Sequence, residues 1–355
     1  MIGAGPAGAA AAIALGGACR VVLLERSAGP DDRIGETLPG IARPLLEQLG
    51  LWRGFAAGGH APFRARRWVW GGPDPVEQES ASAEGMGWRL DRRAFEGQLR
   101  GAVAETGVEL IAPAGVTNIH RDSDGWTIEL VGRNYDRPLK LRARLVIDAG
   151  GRASRMLRPF GQTRLADDRL VCAWIHAPLI SEPPDTLYLE SEAEGWWYSA
   201  PLPDGRRLIA FHTDSDLPVT GHLLEVGLVE RAAMSSGLAD VIADSDLGHV
   251  SPVRFCVAHG ARLDSAAGDG WLAVGDAAAC FDPLGSYGLL GALDTGLHAA
   301  QAARRLLDGD KEAGADYDQE VARLWRLYKE ERDARYASEL RWPASPFWKR
   351  RLPAA

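Results

Sequence analysis

The stretch that most constrains this chain is its beginning, MIGAGPAGAAAAIALGGACRVVLLER. Gly3, Gly5 and Gly8 form Gly-x-Gly-x-x-Gly ahead of an apolar, alanine-rich run of helical length. Val21-Val22-Leu23-Leu24 then reads as a short buried strand ending at Glu25 and Arg26. Turn, helix, strand and acid in that order make a dinucleotide-binding unit. Gly3 permits the tight turn, Gly5 admits a diphosphate to the backbone, and Gly8 lets the helix pack on the sheet. Pro6 and Ala7 open a helix whose N-terminus offers free N–H groups and positive dipole to an anion. Glu25 lies 17 residues after Gly8, near the offset of a carboxylate that binds ribose hydroxyls. We therefore expect Gly3, Gly5, Pro6, Ala7, Gly8, Glu25 and Arg26 to hold an adenine dinucleotide.

Residues 2–18 are uncharged, but no basic segment precedes them and Arg20 and Glu25 interrupt the apolar run. That pattern argues against a signal peptide or membrane helix. Only Met1 and Ile2 precede the glycines, whereas a central strand runs to about 5–6 residues. We expect the first strand to begin upstream or to be unusually short.

At 355 residues the chain has room for two intimate domains. Its net charge of −8 argues against nucleic acid or an anionic membrane as partner. Cys19, Cys172, Cys256 and Cys280 are scattered without a Cys-x-x-Cys pair. We read them as reduced thiols of a cytoplasmic protein, with no metal site and no disulfide framework.

Further along, 41–49 reads as a helix with Pro44 in its first turn and Gly50 at its end. Before it, Gly35-Glu36-Thr37-Leu38-Pro39 is either a turn with a helix cap or a loop along the cofactor, contacted by Glu36 and Thr37. Arg64, Arg66 and Arg67 lead into Trp68-Val69-Trp70, which is either one wall of a substrate site or an edge strand with solvated charges. Residues 88–110 hold a helix capped by Asp91, with Phe95, Leu99 and Val103 on one face. Arg92 and Arg93 occupy its first turn, where the helix dipole disfavours cations, so an anionic partner would explain them. Strands are expected at 112–119, 126–131, 139–145 and 145–148, the last running into Asp148-Ala149-Gly150-Gly151-Arg152.

Between 165 and 265 the pattern predicts an antiparallel sheet, with strands at 170–177, 186–190, 196–201 and 207–213 and one helix near 223–235. In the strand Gly195-Trp196-Trp197-Tyr198, Trp196 and Tyr198 share a face and Trp197 points away. These rings are either core residues or the wall of an aromatic pocket. Residues 271–274 form a strand that runs into Gly275-Asp276, a loop with Pro283, Gly285 and Gly288, and a long helix.

The glycine triplet with Glu25, the turn at Asp148 and Gly150, and the Gly275-Asp276…Pro283 segment resemble the FAD-dependent aromatic hydroxylases. The resemblance covers essentially the whole chain. It implies an α/β fold with an FAD-binding Rossmann-like domain of the GR2 type, an antiparallel-sheet substrate domain and a C-terminal helix. The implied division is 1–60, 88–160 and 270–310 for FAD, 61–87 and 161–269 for substrate, and 311–355 as a helical tail. Non-covalent FAD would lie along Gly3–Gly8, Glu25, Arg92, Asp148, Gly150, Gly275 and Asp276, with its ring beside Pro283, Gly285 and Gly288. NAD(P)H or a separate reductant would supply electrons.

Within that superfamily, the 35–39 loop and Gly195–Pro201 resemble the tryptophan-halogenase branch. They look still more like the maturases that oxidise a protein tryptophan to a tryptophylquinone. The halogenase pattern Trp-x-Trp-x-Ile-Pro is altered here, and the first lysine is Lys140, far past the region where a halogenase carries its catalytic lysine. The resemblance thus implies a monooxygenase working through a flavin hydroperoxide, most plausibly on a tryptophan side chain of a partner protein. The alternatives are a small-molecule hydroxylase or halogenase, a flavin-dependent double-bond reductase, and a non-catalytic flavin-binding partner. Trp68, Trp196 and Tyr198 would flank the substrate ring. His212, read as the histidine of the substrate sheet, is either the acceptor of the proton lost on rearomatisation or a packed histidine. The tail Arg341-Trp342…Pro346-Phe347-Trp348-Lys349-Arg350-Arg351 either docks a protein or peptide substrate or packs on its own domain. We expect a monomer.

Overall fold

The computed structural model describes residues 1–31, 33–80, 85–132, 138–225 and 227–352. A parallel sheet forms the centre of the dinucleotide layer. Val22–Leu24 pairs with Glu109–Ile111 and Val146–Asp148 with Trp271–Ala273, while Ile2 bridges Leu24 on one side and Asp148 on the other. Strands so enclosed need apolar side chains on both faces, which is why 22–24 and 146–148 read as unbroken apolar runs. The helix Pro6–Leu15 lies on this sheet with Ala7 and Ala9–Ala12 all buried. It is apolar on every side because it is enclosed on every side. The helix Gly288–Leu307 crosses it so closely that a Cβ on Gly296 would stand 2.5 Å from the Ala7 carbonyl oxygen.

The helix Arg92–Glu105 begins at Asp91, whose carboxylate accepts from the Ala94 N–H at 2.9 Å, and buries Phe95, Leu99 and Val103 as its sequence spacing predicts. A meander of Ala114–Asp122, Gly125–Gly132 and Leu139–Ala143 adds Trp126, Ile128 and Leu130 to the same core.

The second layer is a seven-stranded sheet in the order Arg254–Val257, Leu170–Pro178, Arg206–Asp214, Gly195–Pro201, Thr186–Glu192, Ala65–Val69, Val76–Glu79. All neighbours are antiparallel except Thr186–Glu192 with Ala65–Val69, a parallel pair that the sequence pattern does not reveal. Trp197 and Phe211 point to one face, where Pro218–Glu225, Leu228–Met234 and Leu238–Val241 cover them. The single helix expected near 223–235 is thus several short ones; Gly227, at φ +99°, precedes the second of them. Ala61–Phe63 joins Gly87–Arg89 and Thr37–Pro39 in a small sheet, and Phe63 packs against Leu187 and Ala200 of the large one.

Of the two readings of the tail, the structure favours packing on its own domain. After the helix Ala313–Ala337, the short helix Pro346–Lys349 buries Phe347 and Trp348 completely. The Trp348 ring lies 5.2 Å from that of Trp70, and its N–H donates to the Glu192 carbonyl at 2.7 Å. Arg350 and Arg351 both pair with Asp214, and Arg351 stacks 3.8 Å from the Phe347 ring. Phe347, Trp348 and the three arginines of the tail serve the chain's own core: both rings are enclosed, and Arg341, Arg350 and Arg351 each find an internal carboxylate. Trp348→Ala is therefore expected to lower the unfolding free energy by about 3–5 kcal/mol, read as a lower urea midpoint at unchanged slope. An unchanged midpoint would show the tail to be peripheral.

Candidate functional site

The N-terminal turn is built by the absence of side chains. Gly3 adopts φ +106°, and a Cβ on it would stand 2.2 Å from the Ala149 carbonyl oxygen. A Cβ on Gly8 would meet the Gly3 carbonyl at 2.0 Å. Gly5 differs from both, because nothing lies within 4 Å of its Cβ position. It precedes Pro6 at the helix start without any side-chain cap, so first-turn N–H groups face open space. Glu25 is buried and accepts from the Ala4 N–H at 2.8 Å and the Ser27 N–H at 2.9 Å. Arg26 beside it is exposed. Asp148 turns inward, accepting from Gly150 N–H at 2.9 Å and from the Ser154 hydroxyl at 2.7 Å. Burial raises its carboxyl above the usual range.

On the far side of the layer, Gly275 takes φ +54° and lies against Ala7, where a Cβ would be 2.6 Å from the alanine methyl. Asp276 lies 3.8 Å from Arg152. Asp282 caps the following turn by accepting from the Leu284 N–H at 2.8 Å, while Pro283 and Gly288 are exposed. Asp282 also accepts from the Tyr336 hydroxyl at 2.8 Å, and Tyr336 in turn accepts from the Trp196 indole at 3.0 Å. Burial pushes the Asp282 carboxyl up to about 6. An open, uncapped helix start, a ribose-height carboxylate and an exposed Pro283–Gly288 edge together fit a bound adenine dinucleotide carrying a flat ring.

The loop 34–37 joins the two layers. Arg92 donates to the carbonyls of Ile34 at 3.1 Å and Gly35 at 2.7 Å and pairs with Glu96 at 2.5 Å. The cation that the helix dipole disfavours is thus occupied by carbonyls and a carboxylate. Thr37 and Tyr198 share a hydroxyl–hydroxyl hydrogen bond of 2.7 Å. Glu36 is buried, accepts from the Gly35 N–H at 2.8 Å and turns its other oxygen toward His176 Nε2 at 3.9 Å. The His176 Nδ1 meets Arg206 at 2.8 Å, and Arg206 pairs with Asp204. Beside this chain lies a cavity of about 320 Å³ lined by Arg33, Glu36, Arg92, Arg93 and Arg206 among others.

Strand register sorts the expected substrate residues, since directly opposed residues share a face. One row across the sheet reads Trp174, Ala210, Tyr198, Leu189, Trp68. The next row reads Cys256, Cys172, His212, Trp196, Ser191 and runs under the C-terminal helix. Trp68 and Tyr198 are partly exposed. Trp196 is 1% exposed, with its ring 3.6 Å from that of His212 and parallel to it. Trp196 is therefore a packing residue and forms no pocket wall. His212 is likewise enclosed, and burial lowers its ring to about 3. His212 is not the sheet's sole histidine: His176 stands on Leu170–Pro178 with the parity of Cys172 and Trp174, a signal already present in the sequence.

The His212 shift has a measurable sign. An ordinary imidazole takes up its proton near pH 6.5, while the folded ring holds out to about 3. As pH falls from about 6.5 toward 3, the unfolded chain binds a proton that the fold refuses, so stability drops. His212→Phe, which keeps a ring against Trp196, is expected to flatten that part of the stability–pH curve relative to the parent. Parallel curves would refute the assignment.

The chain matches the FAD binding domain family over residues 1–320. The putative FAD-dependent oxidoreductase LodB of Marinomonas mediterranea is 30% identical over 360 residues, covering 99% of this chain and 95% of that protein. Among solved structures, the flavin-dependent halogenase CmlS superposes with a TM-score of 0.88 at 23% identity, over 100% of this chain and 67% of that one. The peptidyl tryptophan dihydroxylase QhpG, essential for tryptophylquinone cofactor biogenesis, superposes at 0.76 and 24% identity, over 99% of this chain and 77% of that one. At those identities the two structures share the fold with this chain. Among the described residues no helix is long and apolar enough to cross a membrane. With the family match running through both layers of the site, the chain belongs to the FAD binding domain family and is an FAD-dependent oxidoreductase.

Proposed function

We propose that the protein is an FAD-dependent monooxygenase that hydroxylates the indole ring of a tryptophan in a partner protein or peptide. The observation that carries this reading is the pair of partly exposed rings Tyr198 and Trp68, in one row of the sheet face reached by Leu284 of the Pro283 loop. Rings on such a face hold a flat substrate by stacking, worth about 0.5–1.5 kcal/mol per pair beyond burial. The likeness to QhpG, which acts on a peptidyl tryptophan, supports a protein substrate.

When bound and reduced, FAD supplies the activation of O₂ for transfer of one oxygen atom. In this reading Gly3, Gly5, Pro6, Ala7 and Gly8 receive the diphosphate, and Glu25 and Arg26 bind at the adenosine end. Arg92, Asp148, Gly150, Gly275 and Asp276 line the middle, with Pro283, Gly285 and Gly288 along the ring. Glu36 and Thr37 brace the loop between cofactor and sheet. His212 is sealed under the tail, which removes it as the proton acceptor. His176 is equally buried and accepts from Arg206 at Nδ1, so it braces the loop beside Glu36 rather than taking the proton.

The lysines argue against halogenation. Lys140 pairs with Glu129 on the meander, Lys329 with Asp167 and Asp333, and Lys311 and Lys349 are exposed. Supplied with reduced FAD and O₂ in bromide buffer, the protein is expected to add oxygen to N-acetyl-tryptophan amide, detected by mass spectrometry, without bromination. A brominated product would make it a halogenase, and flavin oxidation that leaves every indole probe unchanged would sink the hydroxylase reading.

Gly5→Val separates binding from folding. The site has room for the side chain and an ordinary φ of −72°, but the side chain takes the diphosphate's space. The variant is expected to keep the parent's circular dichroism while losing FAD absorbance. Full FAD retention would mean that the diphosphate lies elsewhere.

A further inference from the structure

We propose that Cys172 and Cys256 are a peroxide-reactive dithiol that closes reversibly into a cross-strand disulfide. The two residues are direct partners in the antiparallel pairing of Leu170–Pro178 with Arg254–Val257, at the edge of the seven-stranded sheet. Two positions along, the Ala258 N–H donates to the Leu170 carbonyl at 2.9 Å. Hydrogen-bonded pairs recur at every second residue of an antiparallel ladder, so Cys172 and Cys256 form such a pair, with Cα atoms about 5.5 Å apart. Disulfides span about 4.4–6.8 Å between Cα atoms. The side chains share a face, as Arg254 and Trp174 do in the adjacent same-parity pair, where the guanidinium lies 5.2 Å from the indole centre.

Directly opposed on one face, each thiol shifts the other's acidity. Cys172 is buried, which pushes its thiol up. Cys256 is half-buried, and the neighbouring Cys172 thiol, assisted by the Arg152 charge, pulls its thiol down. The pair is therefore asymmetric, with an accessible, more acidic sulfur in front of a sheltered one. Such a pair matches the attacking and resolving thiols of a redox site. Both cysteines pack in one cluster with Ile34 and Trp174, which sets them on the side of the sheet that faces the loop between the layers.

The oxidant is hydrogen peroxide. The Cys256 thiolate attacks one peroxide oxygen; an S–O bond forms, the O–O bond breaks, and the departing hydroxide leaves as water. Cys172 then attacks the resulting sulfenic sulfur. An S–S bond forms, the S–O bond breaks, and the Cys172 proton leaves with the hydroxide as a second water. Two thiols lose two electrons and one peroxide gains them. Opposed Cβ atoms in a sheet lie about 4.5–5.5 Å apart, beyond the roughly 3.8 Å of a relaxed disulfide. Closure strains the ladder, so the bond is readily reduced.

The test uses the FAD-loaded protein treated with hydrogen peroxide, and its outcome does not depend on which substrate the enzyme hydroxylates. Denatured thiol titration is expected to fall from four thiols to two, with peptide mapping joining the segments that contain Cys172 and Cys256, and dithiothreitol is expected to restore all four. In Cys172→Ser, Cys256 should stop at the sulfenic acid and be trapped by dimedone. Four surviving thiols, a bond to Cys19 or Cys280, or sulfinic acid at Cys256 of the parent without a bond would each overturn the proposal. The parent protein alone decides these outcomes, so a poorly folding variant does not weaken the test.

Discussion

The structure depends on how closely its backbones approach one another around the first helix. Gly3 against Ala149, Gly8 against Gly3, Gly275 against Ala7 and Gly296 against Ala7 leave no room for a Cβ. Each contact brings a different segment onto the same helix: the Asp148 turn, the N-terminal turn itself, the Gly275 loop and the Gly288–Leu307 helix. A side chain at any of them displaces backbone, which no rotamer change relieves. Of the triplet Gly3, Gly5 and Gly8 only Gly5 stays open, as an anion approaching the helix start would require. Packing and binding therefore use the same residue type for opposite reasons, one to exclude atoms and the other to admit them.

The two layers are then held together by polar groups rather than by apolar burial alone. Thr37 with Tyr198, Glu36 with His176, and the series Trp196–Tyr336–Asp282 each link the sheet to a loop of the dinucleotide layer. Buried polar groups cost stability unless they are satisfied, and the hydrogen bonds of Thr37, Tyr198, Trp196, Tyr336 and Asp282 form only when loop, sheet and C-terminal helix are in register. Glu339 extends the same arrangement. It is fully buried, yet hydrogen bonds from Arg341, Ser191 and the Gly71 N–H outweigh burial and hold its carboxyl at about 2. The tail thereby anchors the edge of the sheet that carries Trp68 and Trp70.

Local patterns were legible wherever a short stretch carried its own physical logic. The glycine triplet, the Asp91 cap, the alternation around Trp196 and the Gly275–Gly288 loop all read correctly, because each is fixed by steric or hydrogen-bonding demands within a few residues. Long-range pairings were not legible in the same way. The parallel junction of Thr186–Glu192 with Ala65–Val69 joins strands more than a hundred residues apart, and nothing in either strand encodes its partner. His176 shares the parity of Cys172 and Trp174, which the sequence shows, while His212 lies in an aromatic strand. The row it occupies, and hence its burial, follows from register across the sheet.

By itself the sequence determined the FAD-binding fold, because only glycine permits the backbone contacts of its first turn. It also marked the second layer, through closely spaced strands between 165 and 265. Tertiary structure alone decided which groups face the loop between those layers. The tail's sequence left docking and self-packing both open; carboxylates and pockets distant in sequence decided for packing. Burial of a ring or a charge is a property of everything that packs on it, and that company is assembled from the whole chain.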